Sequence, residues 1–155
     1  MKQTTNNSKR VANAVEFVTL AEYKAFEEKM WCKDYSQRNW KTINERDARQ
    51  AELNEMYKHL MPEVGQGCTE ILYSDYLAET IVEVITPNKV ATRRNKVKCL
   101  DYYASDYEIL DELEGGERIF TRRRSGRWVA EGQPDKSGSV FLRIDYRDHR
   151  IDPSF

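Results

Sequence analysis

Few residues in this chain carry the chemistry of a catalytic site. Asp145, Asp148 and Asp152 flank His149 near the C-terminus, and carboxylates beside an imidazole are the donor set of metal-assisted hydrolysis. The local pattern also has a plainer reading, because Asp145-Tyr-Arg-Asp-His-Arg150 interleaves opposite charges and neutralises itself. A nucleotide-directed hydrolase using Asp145, Asp148 and His149 therefore stands as an alternative that requires the three side chains to converge in a cleft. Cys32, Cys68 and Cys99 lie more than thirty residues apart with no Cys-x-x-Cys pair, so neither a disulfide framework nor a zinc site is expected. The thiols read as ordinary buried ones. His59 and His149 are single and distant. Gly65-Gln-Gly67 lacks the third glycine of a phosphate-cradling loop and does not open a helix. No catalytic residue, metal ligand or cofactor is assigned, and the chain is read as not an enzyme.

Charge speaks more strongly. The 155 residues hold 25 Lys and Arg against 26 Asp and Glu, a formal net charge of −1, yet the signs are segregated. Arg93-Arg94-Asn-Lys96-Val-Lys98 puts four cations in six residues, and Arg118, Arg122, Arg123, Arg124 and Arg127 put five in ten. Side chains alternate across a strand. With Ser125-Gly126 as a two-residue hairpin turn, Arg124 opposes Arg127, Arg123 opposes Trp128 and Arg122 opposes Val129. One face then gathers Arg122, Arg124 and Arg127 with Phe120, and Arg123 lies over Trp128 in a cation–π contact. Like charges on one face repel unless something compensates. The compensation is either the chain's own acidic run over 106–117 or an external phosphate or carboxylate surface, which the planar guanidinium suits. The expected binding residues are Arg93, Arg94, Lys96, Lys98, Arg122, Arg124, Arg127 and Trp128. Tyr102, Tyr103 and Phe120 are available for base stacking, although the pattern is not that of an RNA-recognition motif.

The elements that position these residues follow from periodicity. Residues 1–18 are polar and read as a flexible arm. Thr19-Leu-Ala-Glu22 and Thr42-Ile-Asn-Glu45 are capping boxes, predicting amphipathic helices over about 20–33 and 43–60. Leu20, Tyr23, Phe26, Met30 and Trp31 stripe the first; Leu53, Met56, Tyr57 and Leu60 stripe the second. Glu45 and Arg49 stand one turn apart, close enough to pair. At Pro62 the composition turns β-branched and aromatic. Strands are predicted over 69–74, 78–86, 90–100, 118–124, 127–130 and 139–147, with Pro87-Asn-Lys as a turn, Gly115-Gly116 opening a hairpin, and 101–117 as a loop with a short helix or irregular strand. The fold class expected is α+β: an N-terminal helical hairpin over 19–61, then a small antiparallel SH3-like or OB-like β-barrel over 62–155, whose closure removes exposed edges. The apolar helical face predicts a homodimer through residues 20–61. No run approaches the ~18 apolar residues of a membrane span and no signal peptide is legible, so a soluble cytoplasmic protein without membrane partners is expected.

Val64-Gly-Gln-Gly-Cys-Thr69, Tyr73-Ser-Asp75, Thr80-Ile-Val-Glu-Val84, and Ile144-Asp-Tyr146 through Asp152-Pro-Ser-Phe155 resemble a group of small uncharacterised bacteriophage and prophage proteins. The resemblance covers about residues 62–155. It departs where the group carries tyrosines before the terminal Asp-Pro: here His149, Arg150 and Ile151 stand there. It carries over no catalytic residues. It implies a phage accessory binding protein in the bacterial cytoplasm, with a host or competitor protein as its partner, host-defence systems (the anti-CRISPR class) included. Nucleic acid is the alternative partner. The terminal Phe155 is expected to plug a core or groove.

Overall fold

A computed structural model describes residues 16–154. Of the arm predicted over 1–18, residues up to 15 lie outside the described residues, as does the Phe155 plug; at its end the expectation fails, because the Val18 N–H donates to the His59 carbonyl at 2.8 Å. The chain divides into two compact units, Met1–Leu60 and Met61–Phe155.

In the first unit, helix α1 spans Leu20–Met30 and helix α2 spans Ile43–Lys58, with a single 3-10 turn at Tyr35–Gln37 between them. Both caps form. Thr19 Oγ1 accepts from the Glu22 N–H at 3.1 Å, and Thr42 Oγ1 from the Glu45 N–H at 3.2 Å. Glu45 does not pair with Arg49. Its carboxylate accepts the Lys41 N–H at 2.8 Å, because the unpaired amides at a helix start compete for it. Arg49 turns instead to Glu52 at 2.6 Å and to the Asn39 carbonyl. Of the predicted stripes, Tyr23, Met30, Leu53, Tyr57 and Leu60 are buried, and the Tyr23 and Tyr57 rings meet at 6.0 Å. Trp31 falls just beyond the helix and is half exposed. Trp40 anchors the connector by donating from Nε1 to the Met30 carbonyl at 2.9 Å.

The second unit is a six-strand antiparallel sheet closed in a ring. Its strands are β1 Gly67–Leu72, β2 Asp75–Thr86, β3 Lys89–Asp101, β4 Asp106–Arg122, β5 Trp128–Ala130 and β6 Phe141–Arg143. β1 pairs with both β2 and β6, which closes the circle. The inward face carries Cys68, Ile81, Val90, Phe120, Trp128 and Leu142, all essentially without solvent exposure. Gly65 and Gly67 do not form a loose entry. A Cβ on Gly67 would lie 2.9 Å from the Arg147 Cβ, and the Gln66 side chain is buried and donates to the Ile144 carbonyl.

Three expectations are corrected. Of the alternatives for 101–117, the irregular strand is the one that forms, and the loop with a short helix is not: beyond the turn at 102–105 the segment makes up most of β4, which pairs with β3 from Asp106 to Thr121 through several register shifts. Tyr107, Ile109, Leu110 and Leu113 are the half-buried positions of this stretch, and the acidic residues are exposed. Gly115-Gly116 opens no hairpin. Gly115 sits inside β4 at φ +74°, at a bulge where the register slips between Thr92–Arg118 and Arg94–Glu114. The last strand is short, because beyond Arg143 side chains replace the ladder. The Thr69 hydroxyl donates to the Tyr146 carbonyl at 2.8 Å and accepts the Asp148 N–H at 2.9 Å.

Candidate docking surface

The β4–β5 turn decides the fate of the arginines. Phe120 pairs with Ala130, Thr121 with Val129 and Arg122 with Trp128. The Arg123 N–H donates to the Arg127 carbonyl at 2.8 Å, and Gly126 sits at φ +90°. The turn is therefore a three-residue loop, 124–126, with a left-handed glycine, not the two-residue turn expected at Ser125-Gly126. The one-residue change in register moves every pairing. Arg122, not Arg123, lies over Trp128, at 4.7 Å from the ring centre. Arg122 shares the inner face with Phe120 and Trp128, while Arg127 goes to the other face. The expected cluster of Arg122, Arg124 and Arg127 is not assembled.

Most of the predicted cations are engaged at home. Arg122 donates to the Pro87 carbonyl at 2.7 Å. Arg127 pairs with Asp135 at 2.6 Å and lies over Phe141. Arg93 donates to the Gly115 carbonyl at 3.0 Å. Lys96 pairs with Glu112 at 2.8 Å, a hydrogen bond that raises the lysine's pKa. Arg94 reaches Glu70 at 3.9 Å. Among the described residues, Lys98 and Arg124 are the members of this set without an ion pair or hydrogen bond, and both are exposed. Trp128 is fully buried and offers no stacking platform. The acidic run does not fold back over these arginines. Of its members, Glu112 takes Lys96, and Asp111 only approaches Arg147, at 4.0 Å.

The ring interior holds a group that the sequence did not announce. Glu70 on β1 and Glu79 on β2 are both wholly buried. They share the inward face, since Cys68 pairs with Glu79 and Glu70 with Leu77. Arg118 meets Glu70 at 2.7 Å, and the Thr92 hydroxyl donates to Glu79 at 2.6 Å. Burial foremost, then the hydrogen bond and charge of Glu70, push the Glu79 carboxyl up to about 8. Burial beside Glu70 thus favours the protonated form of Glu79, while Arg118 lies against Glu70. The same surroundings hold the Cys68 thiol well above its usual range. Two neighbouring carboxyls are acid–base chemistry in kind, but both side chains lie wholly out of solvent.

At the opposite extreme lies the end of the β3–β4 hairpin. β2 pairs with β3 only as far as Arg94. Beyond Asn95, which bonds the Thr80 hydroxyl and the Leu110 carbonyl, the two strands pair with each other alone and form an arm. Val97 faces Ile109, Lys98 faces Glu108, and Cys99 faces Tyr107. Asp101 accepts the N–H groups of Tyr103 and Ala104 to build the tip. Leu100, Tyr102 and Tyr103 are 55, 43 and 85% exposed, and the two rings meet edge to face at 5.5 Å. The C-terminal segment braces the arm. The Ile151 N–H donates to the Ser105 hydroxyl at 2.9 Å, His149 packs against Tyr107 at 4.7 Å, and Arg150 exchanges backbone bonds with Tyr76 at 2.7 and 2.8 Å.

Each of the three residues of the hydrolase alternative is engaged by a local partner. Asp145 is buried in a two-pronged pair with Arg143, at 3.0 and 2.8 Å. Asp148 accepts the His149 N–H and lies 3.8 Å from Arg150. His149 Nδ1 accepts the Ala78 N–H, and burial lowers its pKa. Among the described residues no cluster of three or more His, Cys, Asp or Glu is arranged to hold a metal, and no helix is long and apolar enough to cross a membrane. Of the three thiols, Cys68 is buried and Cys99 exposed, so they are not uniformly core residues. Comparison with family models, curated proteins and solved structures finds no match to this chain.

Proposed function

We propose that the chain is a non-enzymatic binding protein that docks on another protein through the tip of the β3–β4 arm. One observation carries this: a hairpin that outruns the ring leaves Leu100, Tyr102 and Tyr103 in solvent while the C-terminal segment holds it in place. Exposed aromatics on a rigid support are the usual energetic centre of an interface, and small rigid scaffolds carry function on the hairpins they project. The scaffold reads as an SH3-like or OB-like small barrel. The resemblance of residues 62–155 to phage proteins supports a host or competitor protein as the partner and its inhibition as the outcome. The nucleic-acid alternative is left with Lys98 and Arg124.

A photoreactive benzoylphenylalanine in place of Tyr103, compared with one in place of the exposed Lys136, tests the reading in a bacterial lysate. A discrete adduct at 103 alone is expected. It should fall about thirtyfold in apparent affinity with Tyr102→Ala, the size of an aromatic hot spot. No adduct, or the same adducts from both positions, rejects it.

A further inference from the structure

The tip does not stand alone, and its surroundings select what covers it. Between Lys96 and Glu114 the arm holds two lysines against six carboxylates: Asp101, Asp106, Glu108, Asp111, Glu112 and Glu114. All six are exposed, and Asp106, Glu108 and Glu114 have no ion pair among the described residues. The chain as a whole is nearly neutral, so the field of the arm is local. Alternate residues of a strand share a face about 6.8 Å apart, so Asp106 with Glu108, and Glu112 with Glu114, present anions in a row. The row ends in two mutually packed phenol rings.

A partner must satisfy both features at once. A purely apolar slot would strip water from the carboxylates without compensation. A purely cationic patch would leave Tyr102 and Tyr103 in water. Grooves that hold single-stranded nucleic acid combine the two: cations that track a line of anions, and aromatic or apolar platforms that receive flat rings. Resting on the docking reading above, we propose that the partner is a protein with a single-stranded nucleic-acid groove, and that the arm enters this groove in place of the strand. Its carboxylates take the phosphate positions and Tyr102 and Tyr103 the stacked positions.

The experiment uses the full chain with benzoylphenylalanine at position 103, in lysate to which oligothymidylate of about thirty nucleotides is added, a length that spans at least one such groove. Polyglutamate at matched charge is the control. The expected result is at least a tenfold loss of the 103 adduct with oligothymidylate and less than twofold with polyglutamate. Glu108→Lys with Asp106→Lys should abolish the adduct while circular dichroism shows an unchanged fold. An adduct that survives oligothymidylate, or that polyglutamate removes equally, overturns the groove assignment and leaves the docking reading in place. The absence of any adduct at 103 overturns both.

Discussion

Glu79 sets the sharpest expectation at the scale of single residues. Its carboxyl is held near 8 in the folded chain against an ordinary value of 4.5. Between those two values the folded state binds a proton that the unfolded state releases. Stability is therefore full at acidic pH and falls as pH rises toward and through about 8. Thermal unfolding from pH 5 to 9 should show the midpoint dropping by several degrees, with Glu79→Gln flattening the slope and raising the midpoint at pH 8. Arg118→Ala leaves the buried Glu70 carboxyl without its partner, and should cost about 3 kcal/mol by chemical denaturation. This lies at the low end for a broken buried pair because Arg118 is partly exposed. Neither role is legible in the sequence. Glu70 and Glu79 sit in strands whose two faces are both largely buried, Cys68 to Glu70 on one and Ala78 to Glu79 on the other, so alternation cannot sort inward from outward there.

At the scale of elements, local chemistry was readable where it is self-contained. Both helix caps form as Thr19 and Thr42 predict, and Thr42→Ala should cost about 1 kcal/mol, seen as lost helicity and an earlier thermal transition. The long strands β2 and β3 and the turn at Pro87 are also visible in advance. Failures came where one residue changes a register. The Ser125-Gly126 signal is real, but Arg124 joins the loop and Gly126 takes the left-handed place, and the whole arginine arrangement shifts with it. Gly115 differs from its expected turn for a related reason: a glycine inside a strand marks a bulge as readily as a turn. Gly115→Ala must force a side chain to φ +74° and should cost about 1–2 kcal/mol. Gly116→Ala, with open space for its Cβ and no left-handed φ, should be neutral or slightly stabilising in the same denaturation assay.

For the whole molecule, composition was the better guide. The change of character at Pro62 falls beside the division of the chain into two compact units at Met61, because helical and strand periodicities demand different residues. Segregation of charge was equally plain, but its meaning was not. Apart from Lys98 and Arg124, the predicted cations are spent on carbonyls and acids of the same unit, whereas most of the unmatched charge on the arm is negative. If the arm docks through those carboxylates, the 103 adduct should weaken severalfold between 50 and 200 mM salt, a range over which the screening length shortens to below about 10 Å.

The geometry of the arm has one more consequence. Within the ring every strand has a neighbour on each side, but from Val97 outward β3 and β4 pair, among the described residues, with no strand but each other. Strand edges of this kind invite a foreign strand to add on, and clustered charge is what discourages it. The acidic residues proposed to meet a partner are thus expected also to keep sister molecules from pairing edge to edge. Neutralising all of them should promote aggregation, visible as rising light scattering on incubation, whereas reversing their sign should not.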